Sequence, residues 1–529
     1  MPARAGARPS GEPKGLYVHS PYQAWNRPRL SNCVEAVVSS SPAEILNNHP
    51  PVANFIDGSW TASTAEEFLP VTNPATGEHL GTTPLSPAPD VLAAVEAAKR
   101  AFPAWRSTPA VDRARVMFRL KALLDEHHEE LARTLTMEHG KILPETMGEV
   151  RRGIENVEHA CGIPTLMMGE TLEDIAPGID CETIRQPLGV FGIITPYNFP
   201  VMIPLWFWPY AVATGNTVVL KPSEQDPLTH QRIVDLAVEA GLPPGVLNVV
   251  HGGRDAVTAL VEHPDVRGIS FVGSSATARF LYAKAAQEGK RVQALGGAKN
   301  FMLVLPDADF DRANSALMDS VFGSTGQRCL AGSVLVGVGD AYEPMRERLL
   351  DGASSLHIGY GLDEGVEMGP LVSRPHRDKV VELIGKGAQE GPKLLLDGRG
   401  ASVTGYPQGH WIGPTVFEGV GPEMVLGKEE IFGPVAGLAR AKTVDEAVEL
   451  MHRGHYGNST GIFTSSGRAA REFRYKAGIS MIGVNIGVAA PMAFFPFGGA
   501  RSSFYGDLKA QGKDAIDFYT DKRVVISRW

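Results

Sequence analysis

Between Gly189 and Gly297 the chain alternates short apolar runs with helical stretches, and this alternation constrains the fold more than any other feature. The run Gly189-Val190-Phe191-Gly192-Ile193-Ile194 has the texture of a strand buried on both faces. Thr217-Val218-Val219-Leu220 follows, then the turn Lys221-Pro222-Ser223-Glu224 and a helix from about Thr229 to Glu239. Val246 to Val250 and Gly268 to Val272 are two more strands, the latter running into Gly273-Ser274-Ser275 and a helix through Ala286. Strand, loop and helix repeated in this way predict parallel pairing through right-handed crossovers, an α/β doubly wound sheet. Ligands of such sheets sit at the carboxyl ends of the strands. Upstream, Asp90 precedes an amphipathic helix through Phe102, with further helices over Val111 to Leu124 and Glu129 to Glu138. A second alternating block opens with Phe301-Met302-Leu303-Val304-Leu305. The tail, Phe518 to Trp529, reads as a terminal strand with no local partner, which predicts pairing with another subunit.

A chain of 529 residues holds two or three domains. Its formal charge of -9 argues against nucleic acid or an anionic membrane as partner, while leaving room for a local basic pocket. The longest apolar stretch, Pro200 to Ala213, is too short to span a bilayer and carries Pro204 and Pro209, so a buried helix broken by prolines is expected. Four cysteines (Cys33, Cys161, Cys181, Cys329) with no close spacing make neither a disulfide framework nor a zinc site, and no metal is expected. Free thiols suit a reducing compartment, so the cytoplasm is the expected location. The mitochondrial matrix is the alternative, because Met1 to Leu30 bears Arg4, Arg8, Lys14, Arg27 and Arg29 against the single acid Glu12. Residues 1–50 are expected to be a disordered or loosely docked extension.

Gly326-Gln327-Arg328-Cys329 offers a cysteine in a small polar loop. Small neighbours let backbone amides approach a carbonyl oxygen, and an adjacent arginine favours the reactive thiolate. The competing reading is a buried structural thiol. Asn198 lies in Thr195-Pro196-Tyr197-Asn198-Phe199-Pro200, directly after a buried strand and between two prolines. Such a loop can aim a side-chain amide into an oxyanion hole, with the Cys329 N–H as second donor; equally, asparagine is common turn chemistry.

Three segments point to a nicotinamide dinucleotide. Lys221 and Glu224 stand at a strand's ligand edge, where a lysine can bind ribose or phosphate and a carboxylate can accept from ribose hydroxyls. Phe271-Val272-Gly273-Ser274 feeds a helix N-terminus, a site that attracts pyrophosphate. Lys428-Glu429-Glu430-Ile431-Phe432-Gly433-Pro434 sets a carboxylate and a ring before a turn, suited to a nicotinamide riboside. A solvated turn, a packing glycine and a buried phenylalanine are the respective alternatives. The usual Gly-x-Gly-x-x-Gly fingerprint is absent, so a dinucleotide would bind in a variant mode.

Taken in order, Pro196-Tyr197-Asn198-Phe199-Pro200, Lys221-Pro222-Ser223-Glu224, Phe271-Val272-Gly273-Ser274, Leu295-Gly296-Gly297, Gly326-Gln327-Arg328-Cys329, Glu430-Ile431-Phe432-Gly433-Pro434 and Pro496-Phe497-Gly498-Gly499 resemble the aldehyde dehydrogenase superfamily from about Phe55 to Trp529. The resemblance implies Cys329 as nucleophile and Asn198 as oxyanion donor. It implies a cofactor site of Thr195, Pro196, Phe199, Lys221, Glu224, Gly273, Ser274, Leu295, Glu430 and Phe432, with NAD as cofactor. It also implies an NAD-binding domain (51–168 and 187–296), a catalytic domain (297–498) and a β oligomerisation arm (169–186 and 499–529) in a homodimer or homotetramer.

Within the superfamily the segments Arg152-Gly153-Ile154-Glu155-Asn156, Leu166-Met167-Met168-Gly169-Glu170, Gly297-Ala298-Lys299-Asn300 and Ser503-Phe504-Tyr505-Gly506-Asp507 resemble the CoA-acylating methylmalonate-semialdehyde dehydrogenase branch. Hydrolytic members carry a glutamate just before Leu-Gly-Gly; here that residue is Ala294, which cannot act as a general base. The thioester on Cys329 would then await a better nucleophile than water, and coenzyme A is the expected co-substrate. Arg328 and Arg152 are the candidates for holding a substrate carboxylate. The sequence departs from the branch at Gly498-Gly499-Ala500-Arg501-Ser502-Ser503, where a Thr-Gly-Trp stretch is usual. A hydrolytic enzyme with its base elsewhere, for instance Glu430, and a catalytically silent relative are the alternatives.

Overall fold

The computed structural model describes residues 52–529, so the expectation for residues 1–50 lies outside the described part. Five parallel strands make the centre of an eight-stranded sheet: Arg291–Leu295, Val266–Val272, Val190–Ile194, Thr217–Lys221 and Leu247–Val249, in that spatial order. Chain order therefore reverses between Val190–Ile194 and Val266–Val272, and the loops leaving these two neighbours, at Thr195 and Gly273, open a crevice at the reversal. All five residues of Val190–Ile194 are buried, as its uninterrupted apolar run requires.

The second sheet has seven strands, parallel except for the Lys393–Leu396 edge. Asn300–Val304 lies beside Gly332–Val338 at its centre, and the nucleophile candidate stands on the connection between them.

Several elements differ from expectation. Met202–Ala213 is one continuous helix. Pro204 falls in its first turn, where an N–H has no helical acceptor anyway, and the loss at Pro209 is offset by burial all round: Leu205, Phe207, Trp208 and Val212 are completely inaccessible. Asp90 is inside the first turn of Ala88–Ser107, and its carboxylate accepts from Ser63 Oγ (2.6 Å) and Thr64 Oγ1 (2.7 Å), tying down the preceding segment.

The tail strand Thr520–Arg528 has a partner in its own chain. It pairs antiparallel with Ile179–Pro187 along its whole length, and Thr171–Ala176 completes a three-stranded sheet. The partner lies more than 300 residues away in sequence, so no local signal marks it. Phe504–Gly506, expected in the arm, is the edge strand of the first sheet beside Arg291–Leu295. Among the described residues no helix is long and apolar enough to cross a membrane.

Candidate active site

The site is organised by the helix Leu143–Ala160, whose residues Glu145, Glu149, Arg152 and Asn156 recur at helical spacing and all face one cavity of about 640 Å³. Gly153 brings this helix against Met202–Ala213; a Cβ there would lie 2.8 Å from Leu205 Cδ1. Cys329, Arg328, Phe199, Met202, Trp206 and Phe497 are among the other residues of the wall.

Cys329 leaves a strained turn. Ser324 and Thr325 have φ of 53° and 52°, at a cost of about 1–3 kcal/mol each for residues with side chains. Gly326 follows at φ 72° and lies so close to the Gly433 carbonyl that no Cβ fits. The Cys329 carbonyl is held by two amides, Asn300 Nδ2 and Asn458 Nδ2, each at 2.9 Å. Asn198 Nδ2 donates to Gln327 O at 2.9 Å, so the oxyanion candidate is bonded directly to the nucleophile loop.

The Asn198 loop is in turn fixed from below. Lys141 Nζ donates to the Asn198 carbonyl, pairs with Glu149 at 2.6 Å, and lies 4.0 Å from the centre of the Phe199 ring. The other Glu149 oxygen accepts the Val201 N–H at 2.9 Å and the Met202 N–H at 3.2 Å, satisfying the start of the following helix. Lys141, Glu145, Glu149, Asn300 and Asn458 were missed as site residues in the sequence. The i, i+4, i+7 recurrence of Glu145, Glu149 and Arg152 was the available signal for part of this set.

Arg328 does not act on the thiol as expected. Its guanidinium binds Glu145 (3.1 Å) and Asp319 (3.0 Å). Burial lowers its affinity for the proton, but these two carboxylates outweigh that and hold it charged. Burial, followed by the Glu430 carboxylate, pushes the Cys329 thiol up to about 12. Arg152 lines the same cavity, paired with Glu155 at 2.8 Å and donating to the Pro491 carbonyl.

On the opposite side lies the crevice at the strand reversal, about 680 Å³, lined by Thr195, Pro196, Tyr197, Lys221, Glu224, Gly273 and Ser274, with Arg254 and Phe280 at its edge. Lys221 Nζ binds Glu224 at 2.8 Å. Burial raises the Glu224 carboxyl, yet Lys221 outweighs it and holds the group below the usual carboxylate range. Ser274 caps the helix Ser275–Gln287 by accepting the Thr277 N–H, which leaves that helix N-terminus facing the crevice. Leu295 is buried behind it, its carbonyl accepting from Gly273 N at 3.0 Å. Phe199, expected with this group, stands apart from it, in the wall of the Cys329 cavity.

Glu430 and Phe432 share a small pocket with Cys329 and Lys299. Glu430 Oε1 accepts from Ala298 N at 2.9 Å, and burial pushes its carboxyl up to about 7. Phe432, at φ 61°, meets the Tyr197 ring edge-on at 6.0 Å and so joins this pocket to the crevice. Ala294 is completely buried in the core cluster of Val292 and Phe271, whereas Cys329 packs against the cluster of Leu295 and Leu330, so the structure does not set residue 294 beside the thiol as expected. A thiol in the wall of a largely apolar cavity that also carries two arginines, on a loop held by the Asn198 amide, can form and shield a covalent acyl intermediate.

Comparison with known proteins agrees with this geometry. Residues 60–525 match the aldehyde dehydrogenase family. The chain is 50% identical over 476 residues to malonate-semialdehyde dehydrogenase 3 of Geobacillus kaustophilus (strain HTA426), covering 90% of this chain and 98% of that one. It is 48% identical to malonate-semialdehyde dehydrogenase of Halalkalibacterium halodurans, at the same coverage. The crystal structure of methylmalonate-semialdehyde dehydrogenase from Oceanimonas doudoroffii superposes with a TM-score of 0.89 at 45% identity, over 91% of this chain and 99% of that one. A structure from Sinorhizobium meliloti 1021, solved in complex with NAD, has the same TM-score at 44% identity, over 91% and 98% of the two chains. The protein belongs to the aldehyde dehydrogenase family.

Proposed function

We propose that this protein oxidises malonate or methylmalonate semialdehyde with NAD and transfers the decarboxylated acyl group, acetyl or propionyl, to coenzyme A. The observation that carries this reading is Cys329 in the wall of a cavity that also holds two arginines, Arg152 and Arg328. The relatives named above as malonate- and methylmalonate-semialdehyde dehydrogenases support the same substrate class.

The crevice fits NAD. Lys221 and Glu224 would bind the adenosine ribose, and the free amides after Ser274 would bind the pyrophosphate. Glu430 and Phe432 would hold the nicotinamide side. An ionised Glu224 repels a 2′-phosphate, which favours NAD over NADP. NAD, when bound, supplies the acceptor for the hydride that the substrate adduct must lose.

Cys329 gives up its proton to solvent and adds as the thiolate to the aldehyde carbon, and the Asn198 amide with the Cys329 N–H stabilises the resulting oxyanion. Arg328 and Arg152 offer their remaining donors to the substrate carboxylate. Oxidation leaves a thioester on Cys329. Its β-carboxylate departs as carbon dioxide or bicarbonate, with a proton taken up at carbon. The coenzyme A thiol then attacks the thioester carbonyl, and its proton passes to the departing Cys329 sulfur, releasing acyl-CoA and restoring the thiol.

A hydrolytic reading has one observation in its favour: Glu430, with a carboxyl near neutrality, lies in the pocket of Cys329. Turnover with and without coenzyme A separates the two. The acylating reading expects NADH formation that requires coenzyme A and yields acetyl- or propionyl-CoA; steady NADH formation giving free acid overturns it. Loss of all turnover in Cys329→Ala disposes of a silent relative. We further propose that the three-stranded sheet is covered by a second subunit and that the enzyme works in the cytoplasm, where its thiols stay reduced.

A further inference from the structure

We infer that Glu145 is a positioning residue for the nucleophile: one carboxylate oxygen braces both ends of the Ser324–Arg328 turn and sets which guanidinium donors remain for the substrate. The inference rests on Cys329 being the nucleophile and deepens that reading. Glu145 Oε1 accepts the Ser324 N–H at 2.5 Å and the Arg328 Nη2 at 3.1 Å. Ser324 is the first of two consecutive residues with side chains in the left-handed region, and Arg328 is the residue before Cys329. A backbone held there relaxes unless its surroundings over-determine it. Other contacts brace the middle of the turn: Gln327 N donates to Ser324 O at 3.0 Å, and Gln327 Oε1 accepts from Val372 N at 3.2 Å. Asp319 Oδ1 takes the other arm of Arg328 at 3.0 Å.

The carboxylate comes from the first turn of Leu143–Ala160, the same helix whose Glu149 holds the Asn198 loop one turn further on. The nucleophile loop and the oxyanion loop are thus referenced to one rigid element, at i and i+4. Glu145 also occupies part of the fork that a substrate carboxylate would use. It therefore orients Arg328 and competes for it.

The two roles separate by substitution. Glu145→Ala removes both contacts. Glu145→Gln keeps an oxygen for the Ser324 N–H and loses the charge opposite Arg328. Steady-state kinetics of the full chain with malonate semialdehyde and with propanal, which has no carboxylate, read the split. Glu145→Ala is expected to lose about tenfold in kcat with both aldehydes. Glu145→Gln is expected to keep kcat within about twofold, while its KM changes for the semialdehyde and not for propanal. An alanine variant with the parent's kcat overturns the inference, as does a glutamine variant as slow as alanine. If the alanine variant does not fold, the glutamine variant decides: a KM change confined to the carboxylate-bearing aldehyde supports the inference, and unchanged KM for both overturns it. Failure of the underlying reading shows separately, in the parent, as NADH formation that survives alkylation of Cys329.

Discussion

Asn198 spends one amide hydrogen on the Gln327 carbonyl, two residues before the sulfur, so its second hydrogen is placed by a bond made in the resting protein. Donors arranged before the charge develops need no reorganisation in the transition state. Asn198→Ala is expected to lower kcat by about 10²–10³ with a much smaller change in KM; a loss in KM alone would show that the amide binds the ground state. A second pair of buried groups bears on stability. Glu138 accepts from Leu228 N and Thr229 N at the start of a helix, yet burial pushes its carboxyl up to about 7, and burial with the neighbouring Glu138 raises Asp226 further. Both folded-state affinities for the proton exceed those of the unfolded chain. The stability they contribute is therefore complete below about pH 4 and is lost as pH rises through 7 and beyond. Asp226→Asn is expected to flatten this fall, gaining about 1–3 kcal/mol over the parent at pH 8 and little at pH 5. Urea midpoints at the two pH values check it, and parallel behaviour of variant and parent would refute it.

The helix Leu143–Ala160 is the element on which the site depends. Its Glu149 belongs to an ion pair whose side chains are 0% and 1% exposed, and that pair supports the Asn198 carbonyl and the amides of the following helix together. Glu149→Ala leaves the Lys141 ammonium buried without its counter-ion, and a loss of about 3–5 kcal/mol is expected. Lys141→Met in the same background should recover part of it, read as melting temperature; no recovery would mean that the amide caps dominate. This helix was legible in the sequence only as a likeness, through Arg152 to Asn156, because its roles are played across loops fifty and more residues away. The strand-ending motifs were more legible. Lys221, Glu224, Gly273 and Ser274 meet in one crevice because a doubly wound sheet brings its strand ends together whatever separates them in sequence.

At the scale of the molecule, the three-stranded sheet leaves one face uncovered. Ile526 is registered opposite Cys181 and Cys181 opposite Leu172, so these three share a face with Val524. Leu172, Val524 and Ile526 are each about two-thirds exposed, an apolar face that a second subunit would cover. Ile526→Lys is expected to shift the assembly to smaller species in light scattering with helix content unchanged; an unaltered mass would place the interface elsewhere. Sequence by itself determined the parallel α/β core, the meeting of Lys221, Glu224, Gly273 and Ser274 at the strand ends, and the small polar loop that carries Cys329, since each rests on a contiguous run whose periodicity or residue type carries the information. Only the tertiary structure decided that Arg328 answers to Glu145 and Asp319 rather than to the thiol, that the tail strand pairs within its own chain, and that Phe199 lines the cavity of Cys329 and not the crevice. Those are contacts between segments far apart in the chain, and residue type alone does not say which of several possible partners a charge, a strand edge or a ring will meet.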